Sequence, residues 1–345
     1  MSSRLARSLR RAAAAAAFAG LLGAAPSPAQ PITIKMATLV PDGSSWHTIL
    51  KEVAEKWKTL SGGKVVVRLY AGGVAGDDPE VVRKMRLGTL NAGVLTSVGI
   101  GEIDKSVYAL GVPMMYDSYD EVYAVLDKMR PALEASLAEK GYVVLNWVDA
   151  GWVHFFAKKA IQKPADLKAA KLFAWAGDPE TIEILKSSGF HPVPLPSTEI
   201  STALQTGLVD AMGTPPQVAV ISQYYVHAPY MTDLDWQLLL GATVVRKEVW
   251  NKIPADLQGP LLEAAREGGR KLQAEIRSSV QSDVEAMKKR GLTVVPVDAK
   301  TKAEWRQTAE AFYPKIRGPI VPAAAFDQAL KLRDEVRAAK QAPKP

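Results

Sequence analysis

Few residues in this 345-residue chain are of a kind that does covalent chemistry. It has no cysteine, so a thiolate metal site, a thiol nucleophile, a disulfide framework and a lipidated N-terminal Cys are all excluded. The four histidines, His47, His154, His191 and His227, are scattered and never paired at zinc-ligand spacing. Asp77-Asp78 and Asp233 with Asp235 are the neighbouring carboxylates. Both sets lie among turn formers, where they read as helix caps or solvated charge. Gly72-Gly73-Val74-Ala75-Gly76 lacks the Lys and the spacing of a phosphate loop, and Gly99-Ile100-Gly101 lacks the third glycine of a dinucleotide fingerprint. Neither G-x-S-x-G nor H-E-x-x-H occurs. Nothing here argues for catalysis, and no cofactor is implied.

The elements that would position a binding site are easier to see. Ile32–Met36 alternates like a half-buried strand, and the loop Pro41–Ser45 leads into Trp46, Leu50, Val53, Ala54 and Trp57 at helical spacing. Val65–Tyr70 reads as a strand, Asp78-Pro79-Glu80 as a helix start with Asp78 as cap, and Val94-Leu95 as a short buried strand. A second set follows Gly141, with strands at Tyr142–Val148, His154–Lys158 and Lys171–Trp175 and a helix at Pro179–Ser187. Pro192–Pro196 is extended, and Ser197 or Thr198 caps a helix that Gly207 ends. No Gly- or Ser-rich linker divides the two sets, so the chain is expected to cross between them through strands. Leu272, Ile276, Val280, Val284 and Met287 continue a helix over about residues 260–290, ~45 Å long at 1.5 Å per residue. The polar end, Ala338–Pro345, reads as frayed.

Residues 1–29 have the form of a cleavable export signal. Arg4, Arg7, Arg10 and Arg11 precede an apolar run from Ala12 to Ala25, and Ser27-Pro28-Ala29 supplies small residues at the cleavage site. The run is ~14 residues, short of the ~20 that span a bilayer. Arg10-Arg11 also raises twin-arginine export, with weak flanking residues. The whole chain carries 43 basic and 36 acidic residues; without the leader 39 basic residues remain and the net charge falls from +7 to +3. That surplus makes no case for a nucleic-acid partner. The expected location is the periplasm, without a lipid anchor.

Several stretches, in order, carry a family resemblance: the opening strand, loop and helix; Met85–Leu90; Leu110–Pro113; Lys163–Lys168; and Trp250–Leu257. The most specific is Pro194–Asp210, with Leu204-Gln205-Thr206-Gly207 after a Pro-x-Pro strand. The chain resembles the solute-binding proteins of TRAP transporters, the DctP type, from about Ile32 to about Arg290. The resemblance implies an α/β fold of two periplasmic-binding-protein lobes, an interlobe cleft and a long bracing helix. It also implies a receptor that closes on a small organic ligand and delivers it to TRAP membrane permease subunits. The expected divisions are an N-terminal lobe mainly over 30–150, a C-terminal lobe mainly over 151–245 with crossovers, and a helical region over 246–345. The resemblance extends less securely to the subgroup associated with tetratricopeptide-repeat proteins, where hydrophobic ligands have been proposed and such a periplasmic protein is a further partner.

The family's ligand is usually a carboxylate gripped by Arg. Aligned on the resemblance, the positions of two such Arg are taken by Phe173 and Val153, and that of an Asn by Thr214. Arg forks a carboxylate with two charge-assisted hydrogen bonds, and a buried charge left without its partner costs roughly 3–5 kcal/mol. Trp46, Trp152, Phe173 and Trp175 lie in the segments that approach the implied cleft, with Thr214 and Gln217 as candidate polar contacts and Trp236 and Gln237 as weaker ones. These replacements point to an apolar or amphipathic ligand with a single polar head. The alternatives are an organic-acid receptor with other anchors, a periplasmic sensor or carrier, and a secreted enzyme on the same scaffold.

Overall fold

The computed structural model describes residues 30–341; the expected leader lies outside the described residues. The chain opens with β1 (Ile32–Thr38), α1 (Ser45–Leu60), β2 (Val65–Tyr70), α2 (Asp78–Arg86), β3 (Ala92–Thr96) and α3 (Ser97–Gly101). A 3₁₀ turn at Lys105–Leu110 leads to α4 (Tyr119–Glu139), β4 (Tyr142–Trp152) and β5 (His154–Ala157). Then come α5 (Pro164–Lys168), β6 (Lys171–Trp175), α6 (Pro179–Ser187), β7 (His191–Leu195), α7 (Ile200–Thr206), β8 (Ala211–Thr214), α8 (Pro216–Ile221) and β9 (Tyr230–Thr232). The rest is β10 (Leu238–Arg246), α9 (Lys247–Trp250), α10 (Ala255–Lys288), β11 (Thr293–Val295), α11 (Ala299–Glu310), α12 (Tyr313–Ile316) and α13 (Ala323–Gln341).

The strands form two sheets, β2-β1-β3-β10-β4 and β11-β9-β5-β8-β6-β7. In the first, β1 pairs in parallel with β2 and β3, and β10 runs antiparallel between β3 and β4. β4, which follows the break at Gly141 but falls mostly within 30–150, belongs to the first sheet, as that division has it. β10 leaves the group its position suggested: it precedes residue 247 yet lies in the first sheet, because its partners β3 and β4 are there. The region after 246 is also not wholly helical: β11 pairs with β9 and extends the second sheet. Residues 338–341, expected to fray, continue α13.

Two strand crossings join the lobes side by side. The chain passes from β4 to β5 with Val153 alone between them, and returns through Asp233–Gln237 into β10. The crossings are tied to each other: Val153 N–H donates to Gln237 C=O (2.8 Å) and Trp236 N–H to Val153 C=O (2.9 Å). The third link is α10, 34 residues and ~51 Å long. Leu261, Ala264 and Ala265 near its start pack into the first-lobe core, whereas Met287 near its end belongs to the second-lobe core. Trp57 fastens the first part, donating its indole N–H to Leu261 C=O (2.8 Å) with its ring 6.0 Å from that of Trp250.

The Asp77-Asp78 pair is one residue out of the expected register. Asp77 is the cap of α2, accepting from Asp78 N–H, with Pro79 in the first turn. Asp78 is neither cap nor solvated. It lies buried beneath β3, where one carboxylate oxygen accepts both the N–H (2.8 Å) and the hydroxyl (2.7 Å) of Thr96 and the other has no side-chain or backbone partner. Burial pushes this carboxyl up to about 7, against the pull of the Thr96 bonds and with Asp77 adding to the rise. Below about pH 4 the group is neutral in folded and unfolded chains alike and carries no penalty. Between about pH 4 and 7 the unfolded chain gives up a proton that the folded one keeps, so stability falls as pH rises. Above about 7 the loss levels off near ~4 kcal/mol. Asp78→Asn is therefore expected to gain stability relative to the parent as pH rises from about 4 to 8 in thermal unfolding; a gap independent of pH would contradict this.

Candidate functional site

Between the two sheets lies a cavity of about 620 Å³, within the usual range for small-molecule sites. The first lobe contributes the β1–α1 loop with Val40 and Trp46, and the end of β3 with Thr96–Val98. The second lobe contributes the end of β6, the starts of α6 and α7, and β8. Val148, Asp149 and Ala150 of β4 and Leu272 of α10 close the side nearest the crossings, where Val153, Trp236 and Gln237 also line the wall.

Among the described residues lining the cavity there is no Lys, Arg or His; the charged ones are Asp149 and Asp178. Asp149 is already occupied. Gly151, at φ +102°, turns its N–H back to one carboxylate oxygen (3.1 Å), a backbone conformation that favours glycine. The other oxygen accepts from Tyr123 Oη (2.6 Å) and lies 3.5 Å from Arg277 of α10. Burial raises the Asp149 carboxyl, with Tyr123 and Arg277 opposing it. Arg277 is itself stacked between the rings of Tyr119 and Tyr123, 4.7 and 5.0 Å from their centroids, so it is committed to this cluster and does not line the cavity. Asp178 caps α6 by accepting from Thr181 N–H (3.0 Å), and burial raises it too.

Two indole donors of residues on this wall have no acceptor: Trp46 Nε1 in the first lobe and Trp175 Nε1 in the second are covered by protein atoms and unpartnered. A buried N–H without a partner costs roughly 1–3 kcal/mol.

Of the residues singled out from sequence, Trp46, Val153, Phe173, Trp175, Thr214, Trp236 and Gln237 line the cavity. Trp152 and Gln217 are displaced from it. Trp152 ends β4 with its ring turned onto Tyr119, 5.6 Å away, so it packs behind the wall. Gln217 is buried at the start of α8 outside the lining, its side-chain oxygen unpartnered. Sequence reasoning missed Tyr108, Asp178 and the wall formed by Phe312, Ile316, Ile320 and Val321. The spacing of four from Phe312 to Ile320 is the signal that could have found that wall.

Across the mouth of the cleft the lobes touch directly. Asp77 accepts from the backbone N–H (2.8 Å) and the hydroxyl (2.6 Å) of Ser197, so Ser197 serves the other lobe rather than capping its own helix. Lys105 pairs with Glu180 at 2.6 Å beside it. The exposed ion pair contributes little, whereas hydrogen bonds to a carboxylate are worth roughly 1.5–3 kcal/mol.

Two lobes joined by strand crossings, with a largely apolar cavity between them, form an architecture suited to holding a small ligand. Residues 36–318 match the DctP family, the bacterial extracellular solute-binding proteins of family 7, and the chain belongs to that family. Its sequence is 26% identical over 290 residues to the C4-dicarboxylate-binding periplasmic protein DctP of Rhodobacter capsulatus, covering 82% of this chain and 85% of that one. It is 24% identical over 253 residues to the 2,3-diketo-L-gulonate-binding periplasmic protein of Escherichia coli, covering 73% and 77%. The fold matches the TRAP solute-binding protein of Ralstonia eutropha with bound (S)-2-acetolactate, with TM-score 0.82, 21% identity, and 89% and 100% of the two chains covered. It also matches that of Sulfurospirillum deleyianum with bound succinate, with TM-score 0.79, 23% identity, and 87% and 98% covered. Family members of this kind are binding receptors rather than enzymes.

The Asp77–Ser197 contact makes a direct prediction. Ser197→Ala keeps the backbone bond and loses the hydroxyl, so ligand release is expected to quicken about tenfold in stopped-flow measurements while Tm stays within a few degrees. An unchanged release rate would show that the contact does not hold the lobes together.

Proposed function

We propose that this chain is the periplasmic receptor of a TRAP-type secondary transporter, closing its lobes on a largely apolar ligand with one neutral polar head. The observation that carries the reading is the charge of the cavity: its lining offers two carboxylates and no cation. A ligand carboxylate enclosed there would lie without a partner, at a cost of roughly 3–5 kcal/mol, or two to four powers of ten in affinity. Val153 and Phe173, where the family resemblance places Arg, are the apolar replacements that remove the clamp. The head is an oxygen acceptor such as a carbonyl or ether, with the Thr214 hydroxyl and the Gln237 amide of the lining as its polar contacts. Apolar contact supplies the rest: burying ~200 Å² at ~25 cal/mol/Å² contributes about 5 kcal/mol before association costs.

Export through a cleaved leader and hand-over to TRAP permease subunits belong to this reading, as does a tetratricopeptide-repeat protein as further partner. Among the described residues no helix is long and apolar enough to cross a membrane. Isothermal titration and thermal shift with succinate and with glucuronate test the reading. No binding up to millimolar concentration is expected; micromolar binding of either acid would overturn it.

A further inference from the structure

The cavity does not end between the lobes. Its lining extends to an apolar arm formed by Leu172, Ile184, Leu185, Phe190, Phe312 and Ile316. These belong to one continuous apolar cluster with Trp236, which stands where the arm leaves the cleft, 6.4 Å from Phe312 ring to ring. Phe190 packs directly on Phe312, ring centroids 5.9 Å apart, so this pair is a closed part of the wall. One whole wall thus comes from residues 312–321, which are not part of either sheet.

That wall is held from outside. Trp305 donates to Gln162 C=O (2.8 Å) and stacks on Phe155 (5.3 Å). Lys315 donates to Ser188 Oγ (2.8 Å) at the end of α6, and Tyr313 Oη to Pro113 C=O (3.0 Å). The segment is therefore fastened to both lobes by polar contacts on its outer side and leaves its apolar side to the arm. Apolar lining of this kind gains dispersion contacts and gives up unfavourable hydration when a hydrocarbon fills it. Asp178 and Thr181, at the first turn of α6, are the polar residues where the arm meets the cleft.

Building on the ligand reading above, we infer that this arm is a tail site: it takes the hydrocarbon chain of an amphipathic ligand whose neutral head stays in the cleft between the lobes. The segment 312–321 sets how long that chain can be. The ligand class is a single-headed, uncharged molecule with an unbranched or aromatic tail.

Straight-chain methyl ketones from four to twelve carbons test it, since they carry a carbonyl head and differ only in tail length. Binding to the full mature protein is read by tryptophan fluorescence and ligand-observed NMR. Affinity is expected to rise about fourfold per added methylene and then to stop rising once the arm is full. Ile316→Trp and, separately, Ile184→Trp are expected to bring that plateau several carbons earlier and to weaken the twelve-carbon ketone far more than the four-carbon one. Circular dichroism and Tm confirm that each variant folds. An affinity independent of tail length, a plateau unmoved in both folded variants, or failure of the whole series to bind would overturn the tail site. Tight binding of succinate would instead overturn the ligand reading beneath it.

Discussion

The two strand crossings, knotted together by backbone hydrogen bonds at Val153, Trp236 and Gln237, are the constraint on which the rest of the structure depends. They hold two sheets edge to edge on one side and leave the other side open, so a cleft is unavoidable. The long helix α10 bridges the same side, with its first half in one core and its end in the other. What remains for the open side is a contact that can form and break, and Asp77 with Ser197 provides it. Residues of the crossings also line the cavity, so a ligand there would touch the links between the lobes.

Charge then decides what such a cleft can hold. The cost of an unpaired ion there is about as large as what apolar contact returns, so the absence of a cation among the described lining residues can offset the favourable surfaces around it. Arg277 shows this from the other side. It is the cation nearest Asp149, yet two tyrosine rings and a carboxylate already engage it. Relatives in the family bind a C4-dicarboxylate and 2,3-diketo-L-gulonate. The lobes that serve them can be lined differently without changing the fold, because the strands and helices are held by their own cores rather than by the ligand.

Much of the local structure was legible in the residues. The helix at Pro179–Ser187 follows from an Asp cap, Pro and Glu in the first turn and Lys in the last, and Gly207 ends α7 at φ +78° as a left-handed C-cap. What local pattern could not reveal was pairing between distant segments: β10 looks like a second-lobe strand until its partners are known. The site was legible by segment but not always by side chain. Trp152 and Val153 are adjacent, and the bend at Gly151 with the end of β4 decides that Val153 lines the cavity and Trp152 does not. Asp78 looked like a cap because its neighbours are turn formers; only the packing of α2 against β3 buries it. The wall from Phe312 to Val321 lies far along the chain from the stretches that carry the resemblance, so no local motif tied it to the cleft.

The central claim is that the enclosed cleft accepts an uncharged, largely apolar molecule. The most direct measurement is native mass spectrometry of the protein exported and purified without denaturation, followed by identification of the solute released on unfolding. The account predicts a one-to-one complex with a neutral, single-headed molecule bearing an apolar tail. Stoichiometric recovery of a dicarboxylate or a sugar acid would contradict it.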